Sequence, residues 1–237
     1  MKVIILKPNV VGPIEAPPNR SINEWLEWAI EPRSPLVTGK QEDLLNENDI
    51  AATKILRLGA RWEGILDRTN YPPLYAGLEK PLPPETNVLV CAALSCITPE
   101  EYPQEFPGAE NEPWFGKDLP INNPNIESGI IDRATDIINR SDAKIIVKKE
   151  DKDLASYPKE KLHRMPRGEI EIRKIEAGVW TDKAGYFHIA TDGYWLYLPK
   201  LEGGIYDIIV SCSAPRFGDP HGSTYNGLAA YHFNVSP

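Results

Sequence analysis

The sequence is poor in cysteine and has no long apolar run. Its three cysteines are too few for a disulfide framework, and an odd number leaves at least one thiol unpaired in a monomer. The apolar run nearest the N-terminus covers residues 3–6, far shorter than the ~7–15 residues of a signal-peptide core or the ~20 residues of a membrane span. We therefore expect a protein of the cytoplasm or of a larger assembly, secreted only if a leader has been lost.

Several motifs of catalysis and cofactor binding are also absent. The sequence contains no Gly-x-Ser-x-Gly, His-Glu-x-x-His or Gly-x-Gly-x-x-Gly pattern and no P-loop, which weighs against the commonest hydrolase and nucleotide-binding chemistries. A net charge of −8 argues against nucleic acid or an anionic membrane as the main partner, because both favour basic protein surfaces. We therefore expect no cofactor and interpret the protein as non-enzymatic.

Proline is the residue in excess. The chain has 23 prolines, and 11 of them lie within residues 71–124. Because proline lacks a backbone N–H and fixes φ, these stretches cannot be helix interiors or central strands, and a long loop insertion is predicted over residues 97–127. Residues 99–118 contain six acidic residues and one lysine, and Phe106, Trp114 and Phe115 are among them. Such aromatic residues favour an ordered loop that packs on the body of the protein or on a partner.

Two segments have the apolar spacing of amphipathic helices. The first is predicted over residues 21–30, where Ser21 and Glu24 form a capping-box pattern. The second is predicted over residues 128–140, where the isoleucines and Ala134 form one apolar stripe. The stretch 46–58 has helical periodicity without a clear cap and is ambiguous.

The rest of the pattern is that of β-strands. Residues 88–96 are nearly all apolar, as in a strand buried on both faces. Further strands bounded by turn residues are predicted at 144–148, 169–175, 186–190, 194–198, 205–212 and 228–235. Asp192-Gly193 predicts a tight turn between two of them. The fold class is therefore mostly β: a single antiparallel β-sandwich or jelly-roll-like domain over residues 1–237, with two short helices, long proline-rich loops and an N-terminal extension over residues 1–20.

One segment of the C-terminal half carries a family resemblance. Residues 192–204, which begin Asp192-Gly193-Tyr194-Trp195, resemble the DGYWxxLxPLxPG element of a β-rich bacterial and archaeal family that is often secreted and has no assigned activity. The tryptophan pair at 25 and 28 and the segment 83–96 are similar to other parts of that family. This chain departs from it at residues 202–205, which replace a Pro-Gly-rich turn. The resemblance implies a β-rich fold and transfers no catalytic residue.

The cysteines are predicted to be inert. On a continuous strand Cys91 and Cys96 would point to opposite faces and lie about 16 Å apart at 3.3 Å per residue, which is too far for a disulfide. We therefore expect buried, unreactive thiols. A bridge between Cys96 and Cys212 and a reactive thiol are the alternatives.

A metal site is an alternative that the histidines leave open. His188 and His221, with Asp192 or Asp219, could form a two-histidine, one-carboxylate site of a metal-dependent hydrolase. Their spacing matches no known ligand pattern, because no His-x-His pair is present. Histidines on strand faces or in loops explain the same residues without a metal.

Four aromatic side chains are the candidate binding residues. Trp195 and Tyr197 share one face of the predicted strand 194–198, and Trp114 and Phe115 lie in the acidic loop. These rings could pack in the core, form a protein interface or stack on carbohydrate. The alternative function that follows from them is a carbohydrate-binding module.

Charge is unevenly distributed along the chain. Residues 140–174 contain 11 basic and 7 acidic residues, whereas the loop before them is acidic. The acidic loop of one copy could therefore lie against the basic segment of another. We interpret the protein as a structural or interaction protein that presents its β-sandwich surface in a homo-oligomer or a larger assembly such as a coat.

Overall fold

The computed structural model describes residues 16–29, 55–59, 74–77, 80–165, 168–177, 184–215 and 224–237. The α-helices in these ranges are α1 (Asn19–Ala29) and α2 (Pro124–Arg140). The strands are β1 (Ile55–Gly59), β2 (Leu74–Gly77), β3 (Asn87–Ile97), β4 (Asp142–Lys149), β5 (Lys152–Pro158), β6 (His163–Arg164), β7 (Ile170–Ile175), β8 (Gly185–Leu198), β9 (Gly204–Pro215) and β10 (Thr224–Val235).

The strands form two sheets. In the first sheet β1, β3 and β8 are neighbours, and both β6 and β7 pair with the far edge of β8; the second sheet has the order β2-β10-β9-β4-β5. Most pairs are antiparallel, but β1–β3 and β2–β10 are parallel. The predicted mostly β, sandwich-like fold is therefore confirmed, with parallel pairs at one edge of each sheet as an addition. No helix in the described part of the chain is long and apolar enough to span a membrane.

The main core is formed by the alternating buried side chains of strands from both sheets. In the second sheet the buried positions include Ile145 and Val147 of β4, Ile208 and Val210 of β9, and Phe233 of β10. Strand β3 is buried along almost its whole length, which explains its continuous apolar sequence.

Both helices cover apolar parts of the first sheet. In α1, the Trp25 ring meets Trp195 of β8 edge-on, with centroids 5.2 Å apart, and its indole N–H donates to the Leu58 carbonyl at 3.0 Å. Helix α2 packs mainly against β3 and β8. Its four buried residues all belong to the predicted stripe: Ile130, Ala134, Ile137 and Ile138. The remaining member, Ile131, is half-buried.

The predicted helix at 128–140 begins four residues earlier than expected, at Pro124. The Asn123 side chain accepts a hydrogen bond from the Asn125 N–H at 3.2 Å, and proline is favourable in the first turn because no intrahelical N–H bond is needed there. The end of the ambiguous stretch 46–58 is strand β1, whose pairing with β3 overrides its helical periodicity. Residues 46–54 lie outside the described ranges.

The prediction of a tight turn at Asp192-Gly193 is wrong, because β8 continues through both residues. A β-carbon on Gly193 would lie 2.8 Å from the Ala93 carbonyl oxygen and 3.1 Å from Leu94 Cδ1. The neighbouring strand β3 is bulged between Cys91 and Ala93. Glycine therefore permits a close approach of two strands here, a common role of glycine inside a strand.

The same bulge changes the geometry of the cysteines. Cys91 is opposite Trp195 and Cys96 is opposite Thr191, an even separation on β8, so both thiols belong to one face of the first sheet. The prediction that they face opposite sides is therefore wrong. Cys91, Cys96 and Cys212 are all free, and burial raises the pKa of the Cys91 thiol and raises that of Cys212 to about 11. Thiols held in the protonated form are poor nucleophiles.

The close approach at Gly193 gives a stability prediction. Because its new methyl group would press on the Ala93 carbonyl, Gly193→Ala should lower the free energy of unfolding by about 1–3 kcal/mol. Gly129→Ala, in α2 with no atom within 4 Å of the added carbon, is the matched control and should raise it by about 0.5–1 kcal/mol. Urea unfolding measures both. Equal effects of the two substitutions would contradict a continuous β8.

Candidate functional site

The proline-rich connection between β3 and α2, residues 98–123, is ordered and lies on the body of the protein; we call it the arm. It contains two single-turn 3-10 helices, Pro103–Glu105 and Ala109–Asn111. Phe106 and Trp114 are buried, and they pack with Ile97, Ala190 and α2 in a second hydrophobic cluster. The prediction that the aromatic residues of this loop pack on the body is therefore confirmed for these two rings.

A buried histidine holds the arm to β8. His188 is fully buried; its Nδ1 lies 2.6 Å from Glu100 Oε1, and its Nε2 lies 2.6 Å from the Leu119 carbonyl oxygen. A carboxylate and a carbonyl both accept hydrogen bonds, so each ring nitrogen must donate. With Glu100 ionised, as its lowered pKa favours, this geometry fits the doubly protonated imidazolium, which carries a positive charge.

The Glu100 carboxylate accepts several hydrogen bonds. Its Oε2 accepts from the His188 backbone N–H at 3.1 Å and from the Thr98 hydroxyl at 2.5 Å, and its Oε1 also accepts from the Gly116 N–H at 3.4 Å. The Trp114 ring lies against the imidazole with centroids 4.7 Å apart. The buried carboxylate is thus satisfied by hydrogen bonds from two elements, as a buried charge must be.

These contacts shift the ionisation equilibria of both side chains toward their charged forms. Burial alone would lower the pKa of His188, but the hydrogen bonds to Glu100 and to the Leu119 carbonyl raise it above its ordinary value. Burial alone would raise the pKa of Glu100, but the hydrogen bonds from His188 and Thr98 hold it below its ordinary value. Both shifts favour the charged pair.

Asp192, the second buried polar residue of β8 considered as a ligand, has a different partner. It is 1% exposed, and it accepts from Arg164 of β6, with Nη2 at 2.6 Å and Nε at 3.2 and 3.3 Å. Arg164 Nη1 also donates to Asn139 Oδ1 at 2.7 Å. This ion pair ties β8 to β6 and to the end of α2.

The structure does not bring the candidate metal ligands together. His188 and Asp192 lie on one face of β8 but ~13 Å apart at ~3.3 Å per residue, and each is bound by its own partner. Asp219 and His221 lie outside the described residues. The residues that the structure describes contain no group of three or more histidine, cysteine or carboxylate side chains that could hold a metal ion.

Burial also decides the position of the candidate binding aromatics. Trp195 and Trp114 are each 1% exposed, so neither ring offers a face to a ligand. Tyr197 and Phe115 are half-buried. The two tryptophans therefore pack in the core, and they do not form a platform on which a carbohydrate could stack.

Sequence reasoning did not identify Glu100, Thr98 and Leu119 as partners of His188. One signal was available: His188 lies in the predicted strand 186–190, whose other residues are apolar or aromatic, and a charged or polar group buried there needs a partner. The contacts of His188 with Glu100 and Leu119 stabilise the folded arm, and they do not suit His188 to catalysis as a general base. A general base needs a free lone pair, and both imidazole nitrogens donate here, so His188 in this state cannot accept a proton.

No known protein family model matches this chain, and comparisons with curated proteins and with solved structures also gave no match. The similarity of residues 192–204 to a β-rich family therefore stays a prediction.

The two pKa shifts predict how stability depends on pH. The pKa of His188 is raised above 6.5, so its contribution is full below that pH and is lost as pH rises through the folded-state pKa. The pKa of Glu100 is lowered below 4.5, so its contribution is present above that pH and is lost as pH falls through the folded-state pKa. The pair should therefore stabilise the protein most between these two values.

His188→Gln tests this dependence, because it removes the charge and leaves Glu100 buried without its cation. We expect a loss of about 3–5 kcal/mol in the free energy of unfolding at about pH 5.5 and a smaller loss at about pH 9. His232→Gln, at a histidine that is 61% exposed, is the control and should change stability by less than about 0.5 kcal/mol. An effect of His188→Gln that is the same at both pH values would contradict a charged pair.

Glu100→Gln should loosen the arm more than the rest of the fold. The amide keeps the shape of the side chain but loses the charge that holds His188, so amide hydrogen exchange in residues 98–123 should become faster while β9 and β10 stay protected. Exchange measured by mass spectrometry compares these peptides directly. The control is Glu110→Gln, at an exposed residue of the same arm. Equal protection of the arm in both variants would show that the ion pair does not hold it.

Proposed function

We propose that this protein is a non-enzymatic structural or interaction protein that works by presenting surface in a homo-oligomer or a larger assembly. The observation that carries the proposal is the buried ion pair between His188 and Glu100. It fixes a long, proline-rich arm in one conformation on the β-sandwich. A fixed loop is suited to recognition, because little conformational entropy is lost when it binds.

The outward side of the arm supports a role in binding. Glu110, Lys117 and Asp118 are exposed, and Leu119 is 46% exposed although its carbonyl is bound by His188. An exposed leucine among charged residues resembles the core and rim of a protein interface. The expected partner is therefore protein, in the first place another copy of this chain.

The alternative functions receive less support from the site. A carbohydrate-binding module would use exposed rings, but Trp195 and Trp114 are buried. A metal-dependent hydrolase would use His188 and Asp192, but both are engaged by charged partners from other elements. In the proposed function, the buried polar groups of β8 stabilise the fold and hold the arm and β6 in position.

The oligomeric state tests the proposal. Size-exclusion chromatography with light scattering, performed on the full chain over a wide range of concentrations, should give a mass that is a multiple of 26.6 kDa. The average mass should rise with concentration if the contact is of moderate affinity. A protein that stays a monomer at every concentration would overturn the proposal.

A further inference from the structure

A methionine and a histidine are in contact at β6, beside the central strand of the first sheet. The chain has two methionines, and Met165 is the one in the part of the chain that the structure describes. Its Sδ lies 3.0 Å from the Nε2 of His163, and both side chains are half-buried. Neither residue takes part in the ion pair of His188 or lies in the arm.

Strand pairing holds the two side chains next to each other. His163 is opposite Trp195 in the pairing of β6 with β8, and the Met165 N–H continues this ladder by donating to the Gly193 carbonyl at 3.1 Å. Positions two apart on a strand point to the same face. Met165 also packs against the main core, so its thioether lies between the imidazole and apolar side chains.

The chemistry of the two groups indicates which imidazole nitrogen carries the proton. A thioether sulfur accepts a hydrogen bond weakly and cannot donate one. A bare Nε2 lone pair facing the lone pairs of Sδ at 3.0 Å would be repulsive, so the contact fits the form of His163 that carries a proton on Nε2. This N–H is therefore paired with one of the weakest acceptors that a protein offers.

Oxidation of the sulfur would replace this weak acceptor with a strong one. Peroxides convert the methionine thioether into a sulfoxide, which is polar and disrupts apolar packing. A polar oxygen in a packed environment costs free energy unless a donor reaches it. The Nε2–H of His163 is such a donor, and it lies beside the atom that would gain the oxygen.

We propose that Met165 is an oxidation site for hydrogen peroxide and that the Nε2–H of His163 donates a hydrogen bond to the resulting sulfoxide oxygen. A lone pair of the sulfur forms a bond to one peroxide oxygen, the O–O bond breaks, and the other oxygen leaves as water with both peroxide protons. The sulfur is oxidised and the peroxide is reduced. Methionine sulfoxide reductases return such a sulfoxide to the thioether.

The hydrogen bond lets the oxidised protein keep β6 in place. Arg164, between the two residues in sequence, binds the buried Asp192 and donates to Asn139 at the end of α2. A sulfoxide without a donor would gain hydrogen bonds only by moving into water, which would pull β6 from β8 and take the cation away from Asp192. With the His163 donor, oxidation leaves this ion pair intact.

Oxidation with and without the histidine tests the inference. The full chain is treated with hydrogen peroxide, the mass of the peptide that contains Met165 identifies the sulfoxide, and urea unfolding compares the oxidised with the reduced protein. In the unmodified protein, oxidation should raise the unfolding equilibrium constant less than about threefold. In His163→Phe the rise should be at least about tenfold larger, because the sulfoxide oxygen is left without a donor.

Two variants serve as controls. His232→Phe, at a histidine that is 61% exposed, should respond to oxidation like the unmodified protein. Met165→Leu has no thioether at this position, so peroxide should leave its unfolding equilibrium constant unchanged. If Met165→Leu in the His163→Phe background loses as much stability as His163→Phe alone, the oxidation acts at another residue and the inference is wrong.

Two further results would overturn the inference. Equal effects of oxidation in the unmodified protein and in His163→Phe would show that His163 does not bind the sulfoxide. A Met165 that stays unoxidised in the folded protein, at a peroxide concentration that oxidises a free methionine peptide, would show that it is not a site. The oligomeric state of the protein bears on the proposed function alone, so the two proposals fail independently.

Discussion

A charged histidine inside an apolar strand is the constraint on which the arrangement of this molecule depends. Removing an ion from water costs several kcal/mol even in a relaxed protein interior, so β8 can hold the imidazolium of His188 only if another element supplies a charge and an acceptor. The arm supplies the Glu100 carboxylate and the Leu119 carbonyl. Folding of the arm and burial of the histidine therefore require each other.

Strand β8 has a second polar residue that is compensated in the same way. Asp192 lies four positions after His188 and is bound by Arg164 of β6, so two different elements are attached to one strand by separate ion pairs. Trp195, on the opposite face, packs against α1. Three peripheral elements are thus positioned by the central strand of the first sheet. The arm is held at its two ends by β3 and α2, and the histidine holds it near its beginning, at Glu100, and near its end, at Leu119.

Local patterns predicted the framework but not these attachments. The apolar run 88–96 and the alternation in the C-terminal third identified β3, β9 and β10, since burial on one or two faces leaves a periodic trace in the sequence. Asp192-Gly193 was misread because the same dipeptide serves tight turns and close strand contacts, and only the bulge in β3 distinguishes the two. His188 and Glu100 are 88 positions apart, and nothing local to either residue reports a partner at that distance.

The protonation state of His188 is the most direct test of this account. Nitrogen NMR of histidine-labelled protein distinguishes an imidazolium, with both ring nitrogens protonated, from a neutral ring with one bare nitrogen. At neutral pH we expect the imidazolium form for His188. A His188 ring that is neutral at that pH would contradict the buried charge from which the position of the arm is derived.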